Sequence, residues 1–384
     1  MEITFIDFTL LTVLIISLVL FIIQSYYWQK VFNGIHHQIK EPPKYINNYP
    51  PISVILVSKG TGIAIEENLT RILEQDYPTF EVIVVHDLSN EDYQGTLTLL
   101  ESKYHNLYHT FIPKSARYIS HKKLGISMGI KASHYDWLVF TEVYCKPSSN
   151  QWLKKLSGNF TDETDIVLGY SNYEKTNSWF NKKITYDKLI NSMRFLSMAI
   201  MGMPYMGNGK NLAYRKSLFI KQNGFTTRLK WEHGEDDLFV NQAATKKNVR
   251  VEVSRESIIR ISMPTKRTWK NEKINYVATS RLYKGIGRFI VGFETTTRIL
   301  FYLTIIYSLI TGFLFQQWML MGIALLLLMI QMIVEIKVIH RTAIDLGERK
   351  YCFLIPIFNV TQPLWNWRFK LTKTKCHQNT YEDK

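Results

Sequence analysis

Acidic side chains in this sequence gather at a few places where they could do chemistry. Near the middle, the apolar run Trp137–Phe140 leads into Thr141-Glu142-Val143-Tyr144-Cys145-Lys146-Pro147. The run is short, β-rich and bounded by polar residues, which predicts a buried parallel strand. Ligands of open α/β sheets bind at the carboxyl ends of strands, so Glu142, Tyr144 and Lys146 are expected to face a site. Farther on, His233-Gly234-Glu235-Asp236-Asp237-Leu238 brings three carboxylates together. Such a carboxylate can take a proton as a general base. The same acids at the start of a helix would also suit the helix dipole. Asp87 closes the run Val82–His86, where an acid serves either a ligand or an Asx turn before the next helix.

The elements that must position these groups follow from pattern. A stiff linker containing Pro42-Pro43 and Pro50-Pro51 opens the region. Strands are then predicted over Ser53–Val57, Glu81–Val85, Leu107–Ile112, Trp137–Phe140 and Asp165–Gly169. Helices are predicted over Ala64–Gln75, Glu91–Lys103 and His121–Ser133. This alternation is that of an α/β, Rossmann-like parallel sheet with crossover helices. Pro147-Ser148-Ser149 opens another helix with a Ser cap. Ile184–Met203 reads as a helix with Met and Leu on one side, set against the core or against a membrane surface.

Hydrophobic residues make up 46% of the 384, unevenly placed. Phe8–Trp28 carries no charge, and ~20 apolar residues cross a bilayer as a helix. Tyr26, Tyr27 and Trp28 read as an interfacial aromatic belt, and Lys30 and Lys40 beyond it put the following domain in the cytoplasm. The start lacks the basic residues and small-residue cleavage site of a signal peptide. Ile299–Val334 is a stretch of 36 uncharged residues, suited to two short spans turning at Gln316-Gln317. Arg288 and Arg298 before it, and Lys337 and Arg341 after it, keep both ends inside. Tyr351–Trp367 is uncharged but contains Pro356, Asn359 and Pro363 between basic flanks, and reads as re-entrant or interfacial. The chain thus divides into an anchor and linker (1–49), a soluble domain (50–297), a membrane hairpin (298–336) and a basic tail (337–384). The net charge of +15, from 47 basic and 32 acidic residues, calls for anionic partners. No nucleic-acid motif is present, and anionic lipid headgroups or nucleoside diphosphates fit the apolar segments better. Cys145, Cys352 and Cys376 are odd in number and lack metal-ligand spacing, as in a reduced cytoplasmic protein.

Several words resemble family 2 nucleotide-sugar glycosyltransferases, closest to bacterial inner-membrane members that build envelope polysaccharides. They are Leu73–Pro78 (LEQDYP), Cys145-Lys146-Pro147-Ser148 with Trp152-Leu153, Asp165–Tyr170 (DIVLGY), Asn211–Phe219 (NLAYRKSLF) and Asp236–Lys247 (DDLFVNQAATKK). The resemblance covers roughly residues 51 to 284 and implies a GT-A fold. It also implies transfer from a nucleoside-diphosphate sugar, with inversion, to a lipid-linked or envelope glycan acceptor. It places the general base in Glu235-Asp236-Asp237, with Asp236 first and Glu235 the alternative one residue away. Asp87 is placed on the nucleoside, and Lys59 in the Ser58–Gly62 loop on the phosphates. Asn208 and Arg281 fall in the acceptor and diphosphate region.

The family's donor words have drifted here. Its Asp-Ala-Asp has become Glu142-Val143-Tyr144. A divalent cation, Mg²⁺ or Mn²⁺ in the family, prefers hard anionic oxygens, so the phenol of Tyr144 replaces the key ligand badly and Glu142 alone remains for a metal. Lys146 and His86 could supply positive charge instead. The acid of the first loop has given way to Thr61. The Gln-x-x-Arg-Trp word aligns with Glu272, Asn275 and Tyr276, losing its arginine. Two functions remain in view: a glycosyltransferase with an unusual, metal-independent donor site, and a catalytically silent paralogue acting as a scaffold or binding a partner glycosyltransferase or a glycan lipid.

Overall fold

The structure, a computed structural model, describes residues 5–46, 48–58, 65–87, 91–112, 120–226 and 231–371. Helix α1 (Phe5–Tyr26) runs through a π-turn over Tyr27–Val31 into α2 (Gly34–Lys40). Strands β1 (Ile52–Ser58), β2 (Phe80–Asp87), β3 (Leu107–Ile112) and β4 (Trp137–Thr141) alternate with α3 (Ile65–Leu73), α4 (Glu91–Lys103) and α5 (His121–Ala132). Next come β5 (Cys145–Pro147), α6 (Trp152–Ser157), β6 (Ile166–Gly169), β7 (Ser171–Tyr173) and the long α7 (Trp179–Ile200). They are followed by β8 (Leu212–Arg215), α8 (Lys216–Lys221), α9 (Asp237–Ala243), β9 (Val249–Glu252), β10 (Ile259–Ile261) and α10 (Lys266–Ser280). Helices α11 (Ile286–Leu314), α12 (Trp318–Asp345) and α13 (Leu354–Leu371) complete the order.

The main sheet runs β3-β2-β1-β4-β8-β6-β9, and β5-β10-β7 form a second, smaller one. β1 to β4 are mutually parallel, as the crossover helices require, while β8 lies antiparallel between β4 and β6. The carboxyl ends of β1, β2 and β4 therefore lie side by side. β4 is buried along its whole length, so its side chains are apolar on both faces and the strand shows no alternation.

Three of the framework words are joined in one hydrogen-bond network. Trp152, fully buried, donates its Nε1 to Asn211 Oδ1 at 3.0 Å. Asn211 in turn donates to the carbonyls of Tyr170 at 2.8 Å and Ser257 at 2.9 Å. A β-carbon on Gly169 would lie 2.3 Å from the Asn211 side chain, so only glycine admits this amide. These buried polar groups find all their partners within protein, which fixes the loop that joins β4 to α6.

Helix α7 starts five residues before its expected position, capped by Ser178, whose side chain accepts the Asn181 N–H. Its apolar face is core: Leu189, Ile190, Met193 and Leu196 are buried, so the membrane-surface alternative does not apply to that face. The aromatic belt needs correction too. Tyr26 is exposed, but Tyr27 and Trp28 are buried, Trp28 meeting Phe32 edge-on at 5.3 Å. The π-turn swings these rings back onto the domain instead of leaving them at an interface.

Among the described residues, three helical stretches are long and apolar enough to cross a membrane: Leu11–Lys40, Ile286–Leu314 and Trp318–Asp345. The turn between the last two falls at Phe315–Gln317, as the sequence indicates. α1 packs against both α11 and α12, and polar side chains join them: Gln24 to Thr297 at 2.8 Å, Ser25 to Gln331 at 3.2 Å. Helix α13 packs on α7, α10 and α12, carries Pro363 inside, and leaves Phe353, Ile357, Leu364 and Trp367 exposed.

Candidate active site

Asp236 is the N-cap of α9, where its Oδ1 accepts the N–H of Asp237 at 2.8 Å. The turn before it depends on Gly234, whose φ of +98° favours glycine and whose β-carbon would strike Leu238. Asp236 Oδ2 accepts two further bonds, from the N–H of Gly209 at 2.8 Å and the hydroxyl of Tyr276 at 3.0 Å. Asn208 donates its Nδ2 to the same Tyr276 oxygen at 3.0 Å. Residues on α9, on α10 and in the loop before β8 thus converge on one carboxylate.

The neighbours of Asp236 have other roles. Asp237 is buried and accepts the hydroxyls of Tyr283, at 2.6 Å, and of Thr279. Burial and the Asp236 charge push its carboxyl up to about 7. It ties α9 to the end of α10. Burial alone would raise the Glu235 carboxyl, but the Lys122 ammonium at 2.8 Å outweighs it and holds the group at about 2. A carboxylate so acidic is a weak base.

Lys122 also reaches Glu142 Oε1 at 2.6 Å, so one ammonium bridges Glu142 and Glu235. Lys210 stands on the other side, paired with Glu272 and 4.0 Å from Glu142 Oε2. Burial opposes the charge on both lysines, and the carboxylates still hold each of them well above the ordinary lysine range. Glu272 is driven the opposite way, to about 2, by Lys210 and Lys188 against its own burial. Lys188, on α7, makes no hydrogen bond or ion pair among the described residues; burial first, then the Lys210 charge, bring it down to about 8.

The sequence-derived site residues divide accordingly. Glu142, Glu235, Asp236 and Asn208 come together, and Tyr144 lies beside them, 43% exposed, its ring 5.9 Å from Lys210. Arg281 caps the carboxyl end of α10 and reaches a different, larger cavity. Lys146 turns away to Glu174 at 2.6 Å and Glu67 at 3.6 Å, so its positive charge is spent elsewhere. His86 is buried against His109, 3.4 Å between ring nitrogens. Asp87 is the last residue of β2, at the sheet edge where the nucleoside side is expected. Lys59 and Thr61 lie outside the described residues. Sequence reading missed Lys122, Lys210 and Lys188. For Lys122 there was a signal: His121-Lys122-Lys123 puts cations in the first turn of α5, against the dipole.

A divalent cation here would compete with the Lys122 ammonium for Glu142 and Glu235. Lys122 holds one oxygen of Glu142 and one of Glu235, the second oxygen of each is buried without a hydrogen-bond partner, and Tyr144 offers only a phenol. Among the described residues, no three His, Cys, Asp or Glu side chains group to hold a metal.

Two cavities lie on either side of the Asp236–Tyr276 hydrogen bond. One, of about 20 Å³, lies between β1, β4 and α5 and is lined by Lys122, Glu142, Glu235 and Asp236. The other, of about 600 Å³, is lined by Tyr276 and Asn208 and extends toward α11 and α13.

Residues 53–222 match the model of glycosyl transferase family 2. That stretch is a family 2 glycosyltransferase domain. The mannosyltransferase PcManGT from Pyrobaculum calidifontis, solved in complex with GDP-Man and Mn²⁺, superposes with a TM-score of 0.56 at 13% identity, over 87% of this chain and 98% of that one. The likeness is one of fold and extends beyond the matched domain to most of the chain. TarS of S. aureus aligns over 66% of this chain and 43% of its own, at 18% identity and a TM-score of 0.41, too loosely to bear on this site. No curated protein matches the chain. The domain is a GT-A fold on a mixed α/β sheet, with long apolar helices on both sides of it in sequence.

Proposed function

We propose that this protein is an inverting, membrane-anchored hexosyltransferase of the bacterial inner membrane, with its main domain in the cytoplasm. It moves a sugar from a nucleoside diphosphate to a lipid-linked or envelope glycan acceptor, without a metal ion. The observation that carries this reading is the position of Asp236, which lines the small cavity and accepts the hydroxyl of Tyr276, a residue lining the large one. An acceptor entering from the large cavity reaches Asp236 past Tyr276. Asp236 takes the hydroxyl proton as the acceptor oxygen bonds to the anomeric carbon and the bond from that carbon to the diphosphate breaks. The negative charge that develops on the leaving diphosphate is met by Lys122 and Lys210. The solved complex of PcManGT with GDP-Man supports a nucleotide-sugar donor, although the Mn²⁺ of that complex has no counterpart in the residue set here.

The scaffold reading has one observation in its favour. The small cavity, at about 20 Å³, holds little more than a water, so a donor sugar enters only if Lys122 swings off Glu142 and Glu235. Titration of the purified protein with nucleoside diphosphates, with and without Mn²⁺, decides between the two. Saturable, EDTA-insensitive binding together with sugar transfer into membrane lipid supports the transferase. Failure of every nucleoside diphosphate to bind replaces it with the scaffold.

A further inference from the structure

The large cavity holds more positive charge than its partners cancel. Its walls come from α7, α10, α11 and α13, and none of its lining residues belongs to β1–β4, whose carboxyl ends form the nucleotide side. Six bases line it: Lys188, Arg194, Lys273, Arg281, Arg288 and Arg298. Asp187 and Glu272 are the acids on the same walls, and both are already taken, by Lys273 and by Lys210. Arg194 and Arg298 share the single carboxylate of Glu294. Arg194 is 6% exposed and Arg298 1%, and Nε of both, with Nη2 of Arg298, are buried without a hydrogen-bond partner. Arg288 donates to two backbone carbonyls, and Lys188 makes no hydrogen bond or ion pair among the described residues, its charge felt by Glu272 and Asp236. Unsatisfied buried donors are costly, and a cluster of them around a cavity calls for an anion with several acceptor oxygens.

The mouth of the same cavity is apolar. Ile299 and Trp367 line it and are exposed, and Phe289 and Phe293 on α11 and Leu364 on α13 extend the exposed apolar surface on either side. Arg298 bridges α11 to α13 through Asn359 at 3.0 Å. A soluble anion has no use for such an entrance, and a neutral hydrocarbon none for such walls. At about 600 Å³ the space is of the size that takes a small-molecule headgroup (roughly 300–1,000 Å³).

We infer that this cavity binds a lipid phosphate, its headgroup held by Lys188, Arg288 and the Arg194–Arg298 pair and its hydrocarbon chain leaving between α11 and α13. The inference rests on the transferase reading only in taking that lipid for the acceptor; binding itself needs no donor and no turnover. An isoprenoid phosphate and a glycerophospholipid share the required chemistry.

The test is equilibrium binding to the purified full-length protein in detergent, with farnesyl phosphate, farnesol, phosphatidylglycerol and inorganic phosphate as probes. A phosphate-bearing lipid is expected to bind at least roughly tenfold more tightly than farnesol or inorganic phosphate. Preference for farnesyl phosphate would identify an isoprenoid, and preference for phosphatidylglycerol a glycerolipid. Lys188→Met, which removes a half-buried charge that no hydrogen bond holds and should fold, is expected to weaken binding by roughly tenfold, and Arg288→Gln at an exposed position to do likewise. Farnesol binding should be unchanged in both. Equal binding of farnesol and farnesyl phosphate, equal binding of inorganic phosphate, or full affinity in both variants overturns the assignment. A protein that binds the lipid phosphate but transfers no sugar keeps this site and loses the transferase reading.

Discussion

Replacing Asp236 by Asn tests the proposed base, and the geometry sets what else the change does. Asp236 accepts three hydrogen bonds, two at Oδ2 and one at Oδ1. An asparagine has one oxygen. If that oxygen takes the Oδ2 position, the amide NH₂ faces the N–H of Asp237; if it takes Oδ1, the NH₂ faces the N–H of Gly209. Tyr276 can rotate its hydroxyl to accept, but a backbone N–H cannot. One buried donor is therefore stranded either way, at about 1–3 kcal/mol. The fold, with its large core, should survive that loss. Loss of a general base typically costs ~10² to 10⁴ in rate. The assay is transfer of labelled sugar from the nucleoside diphosphate into membrane lipid, normalised to folded protein by thermal melting. Tyr276→Phe is the control: it removes one bond to Asp236 and leaves the carboxylate, and should lower transfer by less than roughly tenfold. Retention by Asp236→Asn of activity within about tenfold of the native protein, at equal folded amounts, would falsify catalysis through this residue.

Three further outcomes follow from the same charges. The melting temperature of the native protein should not respond to Mn²⁺ or EDTA, whereas Lys122→Ala, which frees Glu142 and Glu235, should be stabilised by Mn²⁺. Tyr144→Asp alone should not gain this response, since Lys122 still bridges the two glutamates; a Mn²⁺ shift in the native protein refutes the fit argument. Glu235 and Glu272 sit at about 2 in the folded state against an ordinary 4.5, so their pairs stabilise fully above pH 4.5 and are lost as pH falls toward 2. About 3 kcal/mol is at stake per group, and Glu272→Gln should flatten the acid limb of stability measured by denaturant titration. Lys188, brought down to about 8 by burial, carries its charge below that pH, so affinity for farnesyl phosphate should fall as pH rises through 8. Lys188→Met should remove that step, and a step that persists in the variant assigns it to another group.

Of the seven main-sheet strands, β8, antiparallel between β4 and β6, and β9 could not be read, whereas the other five (β1 to β4 and β6) could, because strand and helix periodicities are local. So could the hairpin turn at Gln316-Gln317, marked by charge-free runs on both sides. The roles of Tyr27 and Trp28 could not, because a π-turn redirects them and nothing in the composition of Tyr26–Trp28 distinguishes a belt from a core. Within the site, Asp236 was legible through its word and its place at a helix start. The partners that define its chemistry were not: Tyr276 and Gly209 lie 40 and 27 residues away in sequence. Lys122 looks like a solvated helix lysine until α5 is laid on β1 and β2, where it meets Glu142 beyond the end of β4, and Lys188 looks like one more cation on a long helix.

The drift of the donor words is then a coupled change in charge. Four carboxylates (Glu142, Glu235, Asp236 and Glu272) are faced by three ammonium groups (Lys122, Lys210 and Lys188) in one buried cluster. By that count the cluster carries a single net negative charge as it stands, most of its acid charge already met by ammonium groups. Random decay of a silent copy would lose acids without placing lysines against those that remain. Each surviving glutamate here has one within ion-pairing distance. Under the proposed reading those ammonium groups take over the charge stabilisation that a metal supplies elsewhere. Lys122 then has two states, one bridging Glu142 and Glu235 and one on the diphosphate, and donor binding must be strong enough to draw it from the first to the second. That exchange makes nucleotide affinity depend on the ammonium itself. Lys122→Arg keeps the charge and should retain donor binding, whereas Lys122→Met should lose it; equal nucleotide affinity in the two variants would mean that Lys122 only holds the glutamates apart.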